Sequence, residues 1–323
     1  TQCSPGTYVG GTGTIACMDS EPGYYVPNEG SNEQYPCQPG TYKTYSGQTE
    51  CIETDAGYYS EFIASTNQTA CQPGFYQPDV NQSECFAATA GFYVDSNAST
   101  NQTACLPRTY QPYTNQSSCI DTDPGYYTEN GSSAEQNPCG LGTYQPDYGQ
   151  LSCIDADAGY YVDSTAQSSQ TACAAGTYQP DTGQDSCDDA SAGYYVDSTA
   201  QSAQTACAAG TYQPDTGQDS CDSASAGYYV STTAQSSQTA CSAGTYNANT
   251  GSISIDDCLD ASAGYYVSTS GQSVQTACSA GTYQPSTGQE SCSNASAGYY
   301  VDSTASTSQS ACALGTYQPS TGQ

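Results

Sequence analysis

The chain has no histidine, no tryptophan, one methionine, and two basic residues, Lys43 and Arg108, against 32 acidic ones. Without histidine there is no ordinary general base for a serine or cysteine nucleophile, and no lysine-bearing glycine loop is present to hold a phosphate. Zinc is disfavoured too, because no histidine and no Cys-x-x-Cys pair stands at the spacing of a four-ligand site. We therefore expect no enzyme: no catalytic residue, no metal centre and no cofactor. A net charge of −30 also repels nucleic acid, since nothing here could neutralise phosphates. It suits a solvated, self-repelling surface that gathers counter-cations. No apolar run is long enough to cross a bilayer, so no membrane span is expected in this segment. No leader peptide is visible; the sequence opens at Thr1 without an initiator methionine, as expected if a leader had been removed.

Large apolar side chains are equally scarce. Leu, Ile, Val and Phe together supply 26 of the 323 residues. Such a chain would ordinarily remain disordered, because it cannot offset a backbone ordering cost of roughly 1–2 kcal/mol per residue. What it has instead is 19 cysteines. Small units without a core are held by disulfides, and disulfides persist outside the reducing cytosol. The expectation is an extracellular chain, secreted or displayed at a cell surface.

The cysteines alternate at gaps of 14 and 20, a period of 34 residues. The exception is a gap of 17 between Cys241 and Cys258, a three-residue insertion around Ile253 and Ser254. The period predicts repeats at 3–36, 37–70, 71–104, 105–138, 139–172, 173–206, 207–240, 241–277 and 278–311, with a partial repeat at 312–323. A partner for Cys312 would fall three residues past Gln323.

A finer period lies beneath. Gly-x-Tyr recurs at a spacing of about 17, from Gly6-Thr7-Tyr8 to Gly315-Thr316-Tyr317; its final tyrosine is present 19 times and its glycine is replaced once, by Arg108. Each repeat therefore holds two related rungs. The first runs from Cys173 through Gly176, Tyr178 and Pro180 to Cys187, and predicts a hairpin in which Pro180-Asp181-Thr182-Gly183 forms the turn, with the last residue left-handed. Asn81 and Asn115 replace the turn glycine elsewhere, and asparagine is the residue that best tolerates that conformation after glycine.

Two disulfide pairings remain open. Bridging at 14 joins Cys3 to Cys17, Cys37 to Cys51, Cys71 to Cys85, Cys105 to Cys119, Cys139 to Cys153, Cys173 to Cys187, Cys207 to Cys221, Cys241 to Cys258 (across the insertion) and Cys278 to Cys292. A loop of about 15 residues is worth about 3 kcal/mol in the chain-entropy picture. Bridging at 20 would leave Cys3 unpaired instead. The first is the pairing we expect.

The tyrosine common to all rungs (Tyr178, Tyr195, Tyr212 and equivalents) is expected to fill the thin core against the disulfide. The aromatic before it in second rungs (Tyr24, Tyr58, Phe92, Tyr126, Tyr160, Tyr194, Tyr228, Tyr265, Tyr299) would then face outward, against a neighbouring rung or as a stripe for lateral contact or sugar stacking. Seven Asn-x-Ser/Thr sequons, at Asn67, Asn81, Asn97, Asn101, Asn115, Asn130 and Asn294, are candidate N-glycosylation sites. Connectors such as 198–202 are compositionally suited to O-linked sugar. The pairs Asp121/Asp123 and Asp155/Asp157 would place two carboxylates on one strand face, which reads as solvated charge, since calcium needs six to eight oxygens. Arg108 reads as drift in one rung.

The motif Cys-x-x-Gly-Thr-Tyr-x-Pro-x-x-Gly-x-x-x-Cys, carried at Cys173, Gly176, Tyr178 and Cys187 and their equivalents, resembles the ephrin-receptor-like cysteine-rich repeats. It is also similar to the first module of tumour necrosis factor receptor repeats. The resemblance implies ladder-like ectodomains with disulfide-closed hairpins. The chain departs from it by lacking the close Cys-x-x-Cys, so each repeat has one bridge. The expected fold is all-β and disulfide-rich, a linear solenoid of disulfide-closed hairpin rungs each touching only its neighbours. At a sheet-to-sheet spacing of ~10 Å it would form a rod on the order of 190 Å. The near-identity of 173–206 and 207–240 favours length and regularity over a single binding site. The expected function is a structural component of an extracellular glycosylated filament, surface coat or flagellar-hair-type fibre, with copies of itself or other wall proteins as partners. The alternative is the stalk or ligand-binding ectodomain of a receptor or adhesin; an ion- or ice-binding array is disfavoured by the irregular connectors.

Overall fold

The computed structural model describes residues 2–11, 13 and 16–323; Thr1, and Thr12, Thr14 and Ile15 of the first predicted repeat, lie outside the described residues. The fold is all-β and repetitive. Eighteen two-stranded antiparallel hairpins follow one another along the described residues, each strand two residues long, with one turn of 3₁₀ helix at Ile255–Asp257. The chain separates into two compact units, Thr1–Ile154 with Ser164–Ser169, and Asp155–Asp163 with Gln170–Gln323. Both are built of the same repeat.

A two-residue segment ending in tyrosine supplies the first strand of each of the eighteen hairpins, because β-prone aromatics and threonine fit a pleated surface. In the second unit Thr177–Tyr178 pairs with Asp188–Asp189, and Tyr194–Tyr195 pairs with Thr205–Ala206, in the same register. The preceding glycine sits at positive φ, 88° at Gly176 and 85° at Gly193, and turns the chain into the strand. Its own amide leaves the hairpin. Gly193 N–H donates to Gln213 O of the next rung at 2.8 Å, and Val196 N–H donates to Gln218 O at 3.0 Å. The left-handed turn residue of that rung, Gly217, donates back to Ala190 O at 2.8 Å. These three bonds recur from rung to rung, yet every sheet among the described residues stays two-stranded. Neighbouring rungs thus meet through backbone hydrogen bonds.

The rungs also reach further than their neighbours. A Cβ placed on Gly193 would overlap the Ala234 carbonyl, and one on Gly176 the Gly217 carbonyl, each in the rung after next. Expecting each rung to touch only the adjacent one was therefore too restrictive: glycine lets the backbone close up across two rungs. Arg108 takes this position once, at φ 81° with an exposed side chain. The turn residue is left-handed as expected at Gly183 (φ 71°), Asn81 (59°) and Asn115 (62°). In second rungs the same conformation is held mostly by alanine, as at Ala166, Ala200 and Ala234 (φ 59–60°). Left-handed backbone costs an L-residue roughly 1–2 kcal/mol, so the amide bond that each turn returns is what holds it there.

The core is not made by tyrosine. Tyr178, Tyr195 and Tyr212 are half-buried, while two columns of smaller residues are fully enclosed. One alternates cysteine with a small residue, Cys173, Ala190, Cys207, Ala224. The other alternates glutamine with valine, Gln179, Val196, Gln213, Val230. The rungs stack too closely for a ring to enter. Buried glutamine is tolerated because it is satisfied: Gln179 Nε2–H donates to Ser186 O at 2.8 Å and its Oε1 accepts from Asp181 N–H at 3.1 Å, bracing the turn from inside.

The structure joins Cys3–Cys17, Cys37–Cys51, Cys71–Cys85, Cys105–Cys119, Cys139–Cys153, Cys173–Cys187, Cys207–Cys221, Cys241–Cys258 and Cys278–Cys292, and leaves Cys312 free. The bridges close alternate hairpins. In the insertion, Ser254 caps the 3₁₀ turn, accepting from Asp256 N–H at 3.1 Å, so the extra residues form a compact bump and Cys258 still reaches Cys241.

Second rungs have no bridge, yet close at the same place. Ala190 stands where Cys173 does one rung earlier, and Gln204 where Cys187 does. Gln204 Oε1 accepts from Ser191 N–H at 2.6 Å; Gln170 likewise accepts from Asp157 N–H and donates to Asp157 Oδ2, both at 2.7 Å. A glutamine occupies this position in all nine second rungs and clamps the hairpin in each. We expect the double substitution Ala190→Cys with Gln204→Cys to form a tenth bridge spontaneously, raising stability by about 3 kcal/mol as for a loop of about 15 residues. Intact-mass and free-thiol measurements check it; two persistent new thiols would show that the two rung types differ in backbone.

Candidate interaction surface

All seven sequon asparagines are exposed. Asn81 and Asn115 sit at the left-handed turn position, and their side chains lie beside Gly40 and Gly74 of the preceding repeat. Asn67 and Asn101 occupy equivalent connector positions, one residue before the clamping glutamines Gln68 and Gln102. Asn97 and Asn130 lie in second-rung turns, and Asn294 ends the strand Ser293–Asn294.

The paired carboxylates do not share a strand face. The strand ends at Asp121 or Asp155, so the second acid of each pair lies past it. Asp155 packs beside the turn at Gly183, whereas Asp157 is held by Gln170, and Asp121 and Asp123 are divided the same way between Gly149 and Gln136. Each is a local brace. No group of three or more His, Cys, Asp or Glu among the described residues is placed to hold a metal ion.

The aromatic row Tyr24, Tyr58, Phe92, Tyr126, Tyr160, Tyr194, Tyr228 and Tyr265 is half-buried, and only Tyr299 is exposed, so it does not form the outward stripe. A different row does. Across from the strand tyrosine of first rungs lie Met18 opposite Tyr8, Ile52 opposite Tyr42, Phe86 opposite Tyr76 and Ile120 opposite Tyr110. They are 40–47% exposed, as is Ile154 in the same place. Directly opposed residues share a face, so each such hairpin presents a tyrosine and an aliphatic or aromatic partner together; Tyr76 and Phe86 have ring centroids 5.9 Å apart. In the second unit the position becomes Asp188, Asp222 and Ser293, opposite Tyr178, Tyr212 and Tyr283, and stays apolar at Leu259, 53% exposed opposite Tyr246. The period-34 recurrence of apolar residues at 18, 52, 86, 120 and 154 was visible in the sequence and was missed, because the turn and cysteine periods dominate it.

Within the first unit, an open groove of about 560 Å³ runs alongside the Cys71–Cys85 bridge, edged by Tyr59, Phe75, Glu61 and Glu84. One repeat later the equivalent groove, about 250 Å³, is edged by Tyr93, Leu106, Thr109 and Ser118 beside Cys119. The grooves follow from the stagger of successive rungs: a second-rung tyrosine forms one wall, and the next bridge the other.

Two phenols are shifted. A hydrogen bond from Tyr35 Oη–H to Glu33 Oε1 at 3.0 Å, with the charge of that carboxylate, raises the Tyr35 pKa above the usual 10. Partial burial, then the charge of Asp123, raises that of Tyr110. A raised folded-state value means stability that is complete below pH 10 and is lost as the pH climbs through the folded value. We therefore expect Glu33→Gln to bring the Tyr35 ring resonance back to an ordinary titration midpoint; an unchanged midpoint would rule out the bond.

No match was found among curated proteins. Residues 264–312 match the family model described as tyrosine-protein kinase ephrin type A/B receptor-like, so the segment from the second rung of repeat eight to Cys312 is similar to that family's cysteine-rich repeat.

Proposed function

We propose that the chain is a structural segment of an extracellular, glycosylated filament or surface coat. The observation that carries this reading is the recurrence of one set of rung-to-rung bonds throughout, in the near-identical repeats at 173–240 and in the more divergent ones before them alike. Gly193 to Gln213, Gly40 to Ser60, Gly176 to Val196 and Gly23 to Lys43 are the same bond with four different acceptor residues. Stacking geometry is retained and pocket chemistry is not, the pattern of a part selected for length. The extracellular setting rests on the bridges and on the ephrin-receptor-like match. Seven exposed sequons support N-linked decoration, and the charge of −30 supports a hydrated outer surface. Partners would be copies of the chain or other fibre or wall proteins.

A second reading, the stalk or ligand-binding ectodomain of a receptor or adhesin, is favoured by the family match itself, because that family description names receptors. No helix among the described residues is long and apolar enough to cross a membrane. Electron microscopy of native material, before reduction or deglycosylation, separates the two. Filaments of uniform width with a constant axial repeat are expected. Isolated particles of fixed length, or particles tethered to membrane, would replace the first reading with the second.

A further inference from the structure

We infer that the groove between Tyr59 and the Cys71–Cys85 bridge is a binding site for a basic segment of a partner protein, seating an arginine or lysine side chain. This stands apart from whether the chain belongs to a fibre or a stalk. Three observations converge on it. First, the groove combines aromatic walls, Tyr59 and Phe75, with two carboxylates, Glu61 and Glu84. A cationic side chain is the group that gains from both, through ring faces and through charge, and the chain around it carries 32 acidic residues and only two basic ones of its own.

Second, Phe75 replaces the threonine that every other first rung carries there, and Glu84, which recurs as Glu50 in repeat two, is serine in most other repeats. At the positions of Phe75 and Glu84 the next three repeats carry Thr109 and Ser118, Thr143 and Ser152, and Thr177 and Ser186. The groove of repeat four, with Thr109 and Ser118, is less than half the volume, about 250 against about 560 Å³. Scaffolding alone does not require the change, because the fold forms without it elsewhere. The site is also held in place: the backbone of Glu84 is pinned by buried Gln77, whose Nε2–H donates to Glu84 O at 2.8 Å.

Third, the residues after Glu61 are Phe62 and Ile63, 68% and 62% exposed, where other second rungs place Ser96-Asn97 or Ser198-Thr199. Two adjacent apolar side chains left in water beside an acidic groove fit a peptide or protein surface better than a small cation or a sugar, which would leave them uncovered.

The test titrates the full, disulfide-intact chain with the synthetic peptide acetyl-Leu-Arg-Gly-Arg-Leu-amide at about 0.15 M salt, where charges beyond ~8 Å are screened. Ring resonances of Tyr59 and Phe75 are followed up to about 10 mM peptide, above the millimolar range that one or two such pairs support. The same peptide with glutamine in place of arginine is the control. Binding is expected to move those rings and to weaken about tenfold in Phe75→Thr with Glu84→Ser, the loss of about one desolvated cation–ring or ion pair. Phe62→Ser with Ile63→Thr is expected to weaken it as well. Both variants use residues native to other repeats, and an unchanged proton spectrum elsewhere confirms that they fold. Equal affinity in parent and Phe75→Thr/Glu84→Ser chains, equal binding of the glutamine peptide, or no ring shift at the highest concentration would overturn the assignment. So would binding that emerges only after N-glycans are removed, since the groove would then be filled by sugar on Asn67 or Asn81.

Discussion

Everything in this structure depends on the left-handed turn amide that each rung sends back to the rung before it. Gly217 to Ala190, Ala200 to Cys173 and Asn81 to Thr54 are one bond, 2.8–2.9 Å, in three chemical settings. It places the turn carbonyl against the glycine two rungs earlier, which is why that glycine has no room for a Cβ. It also brings the small buried column into register. A single backbone bond is worth about 1 kcal/mol net. Repeated at every rung, together with the two amide bonds beside it, it does what a hydrophobic core does in an ordinary domain.

That division of labour explains the alternation of bridge and clamp. A thin stack of two-residue strands is below the size at which hairpins are stable alone. A disulfide in every second rung limits the unfolded ensemble, and the glutamine clamp closes the rung between at much lower cost in cysteine. The clamp is a local hydrogen bond, so it tolerates different partners: Asp157, Ser191 and Thr89 all serve. The bridges and turns being regular, surface positions are free to vary, and the two units differ mainly there. Ile52 and Phe86 give way to Asp188 and Asp222 at one strand position, which returns to an apolar residue at Leu259.

Much of the fold was legible in the sequence. The period, the hairpins and the left-handed turn at Gly183, Asn81 and Asn115 could all be read, because cysteine, proline, glycine and asparagine carry strong local meaning. What could not be read was the second-rung turn, since alanine at Ala200 or Ala234 gives no sign of a left-handed backbone. The clamping glutamines recur at 34-residue intervals from Gln34 to Gln238, but within a polar connector they resemble solvent-facing residues. Tyrosine was assigned to the core because it is the largest apolar residue available; the close stacking excludes it in favour of valine, alanine and buried glutamine. Of the surface, the sequons were legible as motifs. The Tyr59–Phe75–Glu84 groove was not, because it exists only once two successive rungs are brought together.

The most direct test of this account is residue-resolved amide hydrogen exchange on the disulfide-intact chain. If rung-to-rung bonds hold the stack, protection will recur at Gly193, Val196 and Gly217 and their equivalents, as strong as at the hairpin amides. Connector amides such as Asp197 and Ser198 will exchange freely. Protection confined to the hairpins, with Gly193 and Gly217 exchanging like connectors, would mean that the rungs are beads joined by their bridges, and the account would be wrong.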